Sequence, residues 1–371
     1  MTPQRRHPGV SRRVLRAVAI CLLVLCALGA SAQAAGAAAK APHASAKASR
    51  WNWSQPYTVR GMSDSVNDLS CPSVSLCVAV SGTDVFWSRN PRGGSSTWKK
   101  AALPAALEIA NLDGQTYAAD GVSCPTSSFC VAIDEVGNTY VSTDPTGGTG
   151  AWLESEINIQ TYPGLESISC ASRSLCGALD ITGEALTTTT PAGVPPLWGS
   201  VKISATKQAD HYGISCASGA RLSLCAAVES DHELALSADP RTAPASWQVA
   251  KTSSKALNDV TCPTASLCVA AGDSALLLLS HTPTVLRSWT PFTLAQAHGA
   301  EFTSIVCHGG SLCLASTDFG QAALSTAPSA TASAWQWQGQ IDLASITALA
   351  CPTARLCFVG DSNNQIVIGR P

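Results

Sequence analysis

The feature that most constrains this chain is a pair of cysteines five residues apart that keeps recurring: CPSVSLC at 71–77, CPTSSFC at 124–130, CPTASLC at 262–268 and CPTARLC at 351–357. Fourteen of the sixteen cysteines form seven close pairs: Cys71/Cys77, Cys124/Cys130, Cys170/Cys176, Cys216/Cys225, Cys262/Cys268, Cys307/Cys313 and Cys351/Cys357. The fourth pair is wider and reads as a three-residue insertion in the same turn. Zinc knuckles and thioredoxin-like dithiols place two residues between their cysteines, and a zinc site needs a second knuckle to complete its tetrahedron. Each pair here stands alone at another spacing. An even set of paired cysteines reads instead as a disulfide framework. The bridges are expected to be local, each stapling one hairpin across a five-residue turn, with the two cysteines opposite one another and Cα atoms roughly 4.4–6.8 Å apart. Closing so short a loop contributes about 2 kcal/mol in the chain-entropy picture.

The first cysteines of successive pairs lie 53, 46, 46, 46, 45 and 44 residues apart. A period in the forties built from short β-type runs is the signature of a propeller. The second repeat shows the pattern: DGVSC, CVAIDE, TYVSTD and AWLESEI read as four strands, separated by the turn segments PTSSF, VGN and PTGGTG. Four antiparallel strands make one blade. The fold expected is therefore an all-β, seven-bladed β-propeller with one local disulfide per blade. Trp98, Trp152, Trp198, Trp247, Trp289 and Trp335 each follow the second cysteine of a pair by 21 or 22 residues and read as wedges between blades. The seventh pair has no such tryptophan, because only fourteen residues follow Cys357. Trp53, 18 residues before Cys71, stands at the interval that separates Trp152 from Cys170 and Trp289 from Cys307. The segment WNWSQPYTV (51–59) is thus expected to supply the outer strand of the last blade and close the ring.

Residues 1–34 combine a basic n-region, the apolar run AVAICLLVLCALGA and A-x-A sites ending at Ala32 and Ala34, as a cleavable signal peptide requires. Arg12 and Arg13 allow a twin-arginine reading, but the general secretory route is preferred. Residues 35–50 read as an Ala-rich linker and 51–371 as the propeller, so the chain is expected to be secreted. No later stretch is long and apolar enough to span a bilayer. The first fifty residues hold eight of the 23 Lys/Arg and none of the 25 Asp/Glu, which leaves fifteen basic against 25 acidic side chains, a balance of −10. Such a domain repels phosphate backbones, and nucleic acid is not an expected partner.

The segments STDPTGGTGAW (142–152), SRNPRGGSSTW (88–98) and SADPRTAPASW (237–247) resemble degenerate BNR or Asp-box repeats, with Ser142, Asp144, Gly147 and Trp152 at the pattern positions. Those repeats occur in sialidase-like, sortilin-like and photosystem-assembly-factor-like propellers. The whole repeat unit is similar to that of exported propeller proteins of actinobacteria. The resemblance spans about residues 51–371 and implies fold more than chemistry, since the Asp box is a structural hairpin between outer strands. Sialidase chemistry, as the resemblance implies it, uses three clustered arginines, a Tyr–Glu nucleophile pair and an acid/base Asp. The nine arginines after residue 50 sit mostly at expected turns, and the nearest match to an opening arginine motif is VRGM at 59–62.

No GxSxG, HExxH or phosphate-loop motif occurs. No catalytic, metal-binding or cofactor-binding residue is assigned. The acidic turns STDPTGG and DITGE lack calcium-loop spacing, and an Asx turn accounts for Asp144. A ligand site, where one exists, belongs on the loops that pass from one blade to the next around the central channel. The residues there with aromatic or ionisable side chains are Tyr117, Asp120, Tyr162, Glu166, His211, Tyr212, Asp259, His298 and Glu301. The function expected is a non-enzymatic binding or interaction scaffold, monomeric, for an extracellular carbohydrate or protein ligand. A glycan-processing hydrolase or lyase of sialidase-like type is the alternative.

Overall fold

The computed structural model describes residues 50–104, 118–157, 164–193, 197–203, 212–219, 222–229, 232–242 and 245–371. They form seven four-stranded antiparallel sheets arranged as a seven-bladed β-propeller. Blade 1 (strands Asp68–Ser73, Leu76–Ser81, Asp84–Ser88 and Trp98–Ala102) is typical. Its second strand, LCVAVS, is buried at every position, and so are the second strands of blades 2, 3, 5, 6 and 7. A sheet covered on both faces by neighbours has no solvent side, so alternation gives way to a continuous apolar run.

The core is accordingly divided. Seven apolar clusters fill the seven seams between adjacent blades. Trp98 packs into the seam between blades 7 and 1, Trp152 into that between blades 1 and 2, and Trp289 and Trp335 into those between 4 and 5 and between 5 and 6. Each tryptophan wedges its own blade against the preceding one. The second cysteine of every pair enters that same seam: Cys77, Cys130, Cys176, Cys225, Cys268, Cys313 and Cys357 are all fully buried there. These sulfurs are core atoms as well as staples, and no solvent reaches them.

All seven disulfides are present, and the structure corrects their expected geometry in two ways. First, the Cα–Cα distances are 3.9–4.1 Å, tighter than the range the spacing predicts. Second, the two cysteines are direct partners in the strand ladder in only three blades: Cys170 with Cys176, Cys216 with Cys225 and Cys307 with Cys313. In the other four the register shifts at the first cysteine. The ladder jumps from Ser70 to Ser73 in blade 1, from Ser123 to Thr126 in blade 2, from Thr261 to Thr264 in blade 5 and from Ala350 to Thr353 in blade 7. Blade 3 shifts as well, from Cys170 to Ser172, and the bridges from Cys77, Cys130, Cys268 and Cys357 to Cys71, Cys124, Cys262 and Cys351 still join facing residues, with Cα atoms 4.1 Å apart in all four blades. A proline follows the first cysteine in each of these four blades and in none of the other three. Its ring removes the N–H that a regular ladder would use.

The strands also run past the cysteines. In blade 2 they extend to Thr126 and resume at Phe129, so the turn is two residues long rather than five. The wider spacing of Cys216/Cys225 leaves its pairing intact.

Blade 7 (Ile346–Thr353, Leu356–Asp361 and Gln365–Arg370) takes its outer strand from the other end of the chain. That strand is split into Asn52–Trp53 and Tyr57–Thr58, both antiparallel to Gln365–Arg370. Pro56 lies in the gap and has no N–H to offer the ladder. Ser54 restores the connection there: its N–H donates to Ile368 O, and its Oγ accepts from the Ile368 N–H, both at 2.9 Å. Tyr57 adds a tie to blade 1, accepting a bond from Trp98 Nε1 and donating to Pro91 O.

Deleting residues 51–59 therefore removes the outer strand of blade 7 and its wedges together. The melting temperature should fall sharply in a calorimetric scan. An unchanged transition would contradict a ring sealed by this segment.

Candidate functional site

Strand alternation gives the ring two faces. Turns from first to second and from third to fourth strands lie on the face that carries the disulfides. Second-to-third turns and blade-to-blade crossovers lie on the opposite, crossover face. The described connections on the crossover face hold Asp64, Glu135, Asp273, Glu301, Asp318 and Asp342 against Arg60 and Lys255. The described connections on the disulfide face hold Arg89, Arg92, Arg173, Arg241, Arg287 and Arg355 against Asp144 and Asp239. Among the described turn residues, acids thus predominate on one face and arginines on the other.

The first strands surround the central channel and would present unpaired backbone edges to it. Side chains lace those edges together from blade to blade. The Oγ atoms of Ser70, Ser123, Ser169 and Ser215, each just before a cysteine, accept from the N–H of Cys124, Cys170, Cys216 and Cys262 in the next blade at 2.8–3.0 Å. Two residues earlier, Asp68 accepts from Val122 N–H, Ser167 from Ile214 N–H and Asp259 from Ile305 N–H. One residue before that, Asn67 donates to Ala119 O, Asn258 to Phe302 O and Thr347 to Val66 O. Each such bond contributes about 1 kcal/mol net. The close approach also explains Gly213, where a Cβ would meet Asp259 Oδ1 at 2.7 Å.

Against this frame the candidate residues separate. Asp259 belongs to the lacing: its carboxyl also accepts from Val260 N–H and Ser304 Oγ, and burial pushes its pKa up to about 7 against those donors. Asp68 is raised to about 6 for the same reason. Glu301 receives a bond from Asn258 Nδ2 at 3.3 Å in the seam between blades 5 and 6. His298 is exposed and ends a 3-10 turn in the left-handed conformation, with φ of 51°. Tyr212 opens the first strand of blade 4 opposite Glu229. Tyr117, Tyr162 and His211 lie outside the described residues.

Asp120 and Glu166 come together at the seam between blades 2 and 3. Asp120 is half-buried, and its pKa rises to about 7, first through burial, then through the neighbouring charges of Glu166, Glu135 and Asp134. It occupies the lacing position held by Asn67 and Asn258 in other blades, where an amide donates to the next blade's carbonyl. An ionised carboxylate has no proton to donate, whereas a neutral one does. Asp120 is thus a carboxyl whose proton affinity is raised toward neutral pH, with the Glu166 charge beside it. Among the described residues, no group of three His, Cys, Asp or Glu side chains is placed to hold a metal ion.

Two side chains outside the sequence expectation are the most exposed large apolar groups among the described residues of the crossover face: Phe319 at 69% and Leu343 at 95%. Their loops are bound to each other. Gly320 O accepts from the N–H of both Ile341 and Asp342, and Gln340 Nε2 donates to Phe319 O and Asp342 O. Gly320, at φ of +72°, permits the approach, since a Cβ there would strike Asp342 O. Acids flank the pair. Asp318 is half-buried, while Asp342 and Asp361 are buried, and Asp361 is raised to about 6 by burial and by the Asp342 charge. An apolar residue within the turn segments DFG and DLAS was the available sequence signal.

The raised carboxyls fix the sign of the pH response. Their folded pKa values lie above the unfolded value near 3.9, so their contribution is full below that value and is lost as pH rises through 6 to 7. Stability should therefore increase as pH falls from 8 to 5. Asp120→Asn, which restores the amide found in blades 1 and 5, should stabilise by about 1 kcal/mol at pH 8 and less at pH 5. Urea denaturation at the two pH values checks this, and equal effects at both would contradict it.

No protein-family model matches the sequence, and no curated protein matches it. Solved structures do resemble it. One is YCF48 bound to D1 peptide, at 12% identity and a TM-score of 0.63, covering 88% of this chain and 96% of that one. Another is YCF48 from Cyanidioschyzon merolae, at 11% identity and a TM-score of 0.62, covering 87% and 99%. A chain in the mitotic checkpoint complex crystal structure matches at 12% identity and a TM-score of 0.64, covering 92% and 99%. At such identities the likeness is one of fold, and the fold this chain shares with them is the seven-bladed β-propeller.

Proposed function

We propose that this chain is an exported, non-enzymatic interaction scaffold whose crossover face holds a peptide or protein segment carrying basic and apolar side chains. The observation that carries this reading is the exposed Phe319/Leu343 pair set among carboxylates. Aromatic and aliphatic anchors of this kind supply most of the energy of small interfaces, and the surrounding acids select a cationic partner. The reading agrees with the peptide named with the YCF48 propeller. Export rests on the signal-like residues 1–34 and on seven disulfides, which persist in oxidising compartments. The third-to-fourth turns are read as degenerate Asp boxes. Ser142 Oγ accepts from Asp144 N–H and Asp144 O from Gly147 N–H, as Ser88 and Asn90 do in blade 1.

One observation favours the second reading, a glycan-processing hydrolase. A carboxyl whose pKa is raised to about 7 beside another carboxyl is the equipment of acid/base catalysis. The two readings separate in parallel assays of the secreted protein. Fluorescent peptides that alternate lysine with leucine or phenylalanine should bind. The double substitution Phe319→Ser/Leu343→Ser should weaken them at least tenfold, about 1.4 kcal/mol, with the thermal transition unchanged. Absence of peptide binding would sink the scaffold reading. Glycoside turnover abolished by Asp120→Asn would replace it with the hydrolase.

A further inference from the structure

The disulfide face carries a feature that the crossover-face reading does not use. Between blades 1 and 2 lies an open pocket of about 330 Å³, lined by Ser75, Leu76, Arg89, Ser127 and Thr146. That volume falls within the range of small-ligand sites. The lining offers one guanidinium, three hydroxyls and one aliphatic wall, with no carboxylate among them. We propose that this pocket is an oxyanion-binding subsite, taking a phosphate or carboxylate group carried on a larger ligand.

The disposition of Arg89 supports this. Its Nη2 donates to Thr146 Oγ1 at 2.6 Å, and Thr146 passes its own proton to Asp144 Oδ1 at 3.0 Å. This relay of bonds fixes the guanidinium across the seam while using one of its five N–H donors. Asp144 is exposed and sits behind the threonine, not in the pocket wall. Among the described residues no carboxylate pairs with Arg89 within salt-bridge distance. The planar fork of an arginine is suited to two-point capture of a carboxylate or phosphate.

The neighbouring seams provide an internal comparison. Between blades 2 and 3, Arg173 spans the gap, donating to Ser128 O at 2.8 Å and stacking over Phe129. Between blades 3 and 4, Arg241 reaches Ser174 O at 2.8 Å while its Nε bonds Ser223. Both arginines reach back to the preceding blade. Arg89 reaches forward to the following blade, and the space beside it remains open. The wider face reinforces the site, since six described arginines against two aspartates there create a positive field that draws anions toward it.

Fluorescein-labelled polyphosphate and poly-L-glutamate, titrated by anisotropy into the secreted protein at low ionic strength, test the proposal and distinguish the two sources of the oxyanion. At least one probe should bind, and inorganic phosphate or citrate should compete. Arg89→Gln should weaken binding at least tenfold. Arg287→Gln, on the same face but away from the pocket, should change it less than twofold. Thr146→Val, which frees the guanidinium without removing its charge, should weaken binding several-fold and serves if Arg89→Gln lowers the melting temperature. Equal losses from Arg89→Gln and Arg287→Gln would reduce the site to diffuse charge and overturn the proposal. So would absence of binding to both probes, or a salt-labile self-association in sedimentation that Arg89→Gln abolishes, which would assign this face to a second copy. Peptide binding on the opposite face is unaffected by any of these outcomes.

Discussion

Side-by-side contact between sheets is the constraint on which the whole molecule rests. No blade has a core of its own, because each buries its apolar surface only against the blades on either side. A linear row of such sheets would leave two bare apolar faces at its ends. Pairing of Asn52–Trp53 and Tyr57–Thr58 with the C-terminal strand turns the row into a ring and removes both. The inner edge poses the same difficulty in polar form, since seven first strands cannot pair with one another around a channel. Serine, aspartate and asparagine side chains reaching from one blade to the next satisfy those groups instead.

The lacing has an energetic consequence. A carboxylate buried to serve backbone donors must lose its water, and Asp259 and Asp68 show this as raised pKa values even with two backbone N–H groups each. Serine does the same work at other seams without charge. The aspartates are therefore the pH-sensitive stitches of an otherwise neutral seam.

Much of this was legible in the sequence because the repeat is written in residues whose roles are local. A cysteine pair fixes one hairpin, a tryptophan 21 or 22 residues later marks one outer strand, and Trp53 at the matching interval marks the closure. The exact register was less so. Spacing alone treats Cys77, Cys130 and Cys268 like Cys176 and Cys313, whereas the cysteine pair drops out of the ladder where a proline follows the first cysteine and stays in it where none does. The split of the closing strand follows from Pro56 in the same way, once the ladder is known. The lacing was also less legible, although serine before cysteine recurs in four repeats. Its partner is a backbone group 47 or 54 residues away, which composition and spacing cannot name. For the same reason Asp259 read as a loop residue like Asp120, while the structure gives one a backbone-binding role and pairs the other with Glu166. Phe319 and Leu343 escaped because their exposure depends on a hairpin turn of blade 6 meeting, at Gly320, the crossover that leaves the same blade.

The architecture also explains how turns of opposite charge coexist on one small ring. The second and third strands are committed on both sides to packing and the outer strands face the rim, so on the two faces of the ring the variable side chains lie in the turns, which strand alternation sorts onto opposite sides. Strands of five to eight residues keep those faces roughly 17–25 Å apart, beyond the Debye length at physiological salt. The acidic crossover face and the arginine-bearing disulfide face can therefore hold opposite charge without neutralising each other. A substitution in one set of turns leaves the field of the other largely intact. Occupancy of the two faces is then expected to be independent, because a rigid ring of seven stapled sheets provides no hinge through which one could influence the other.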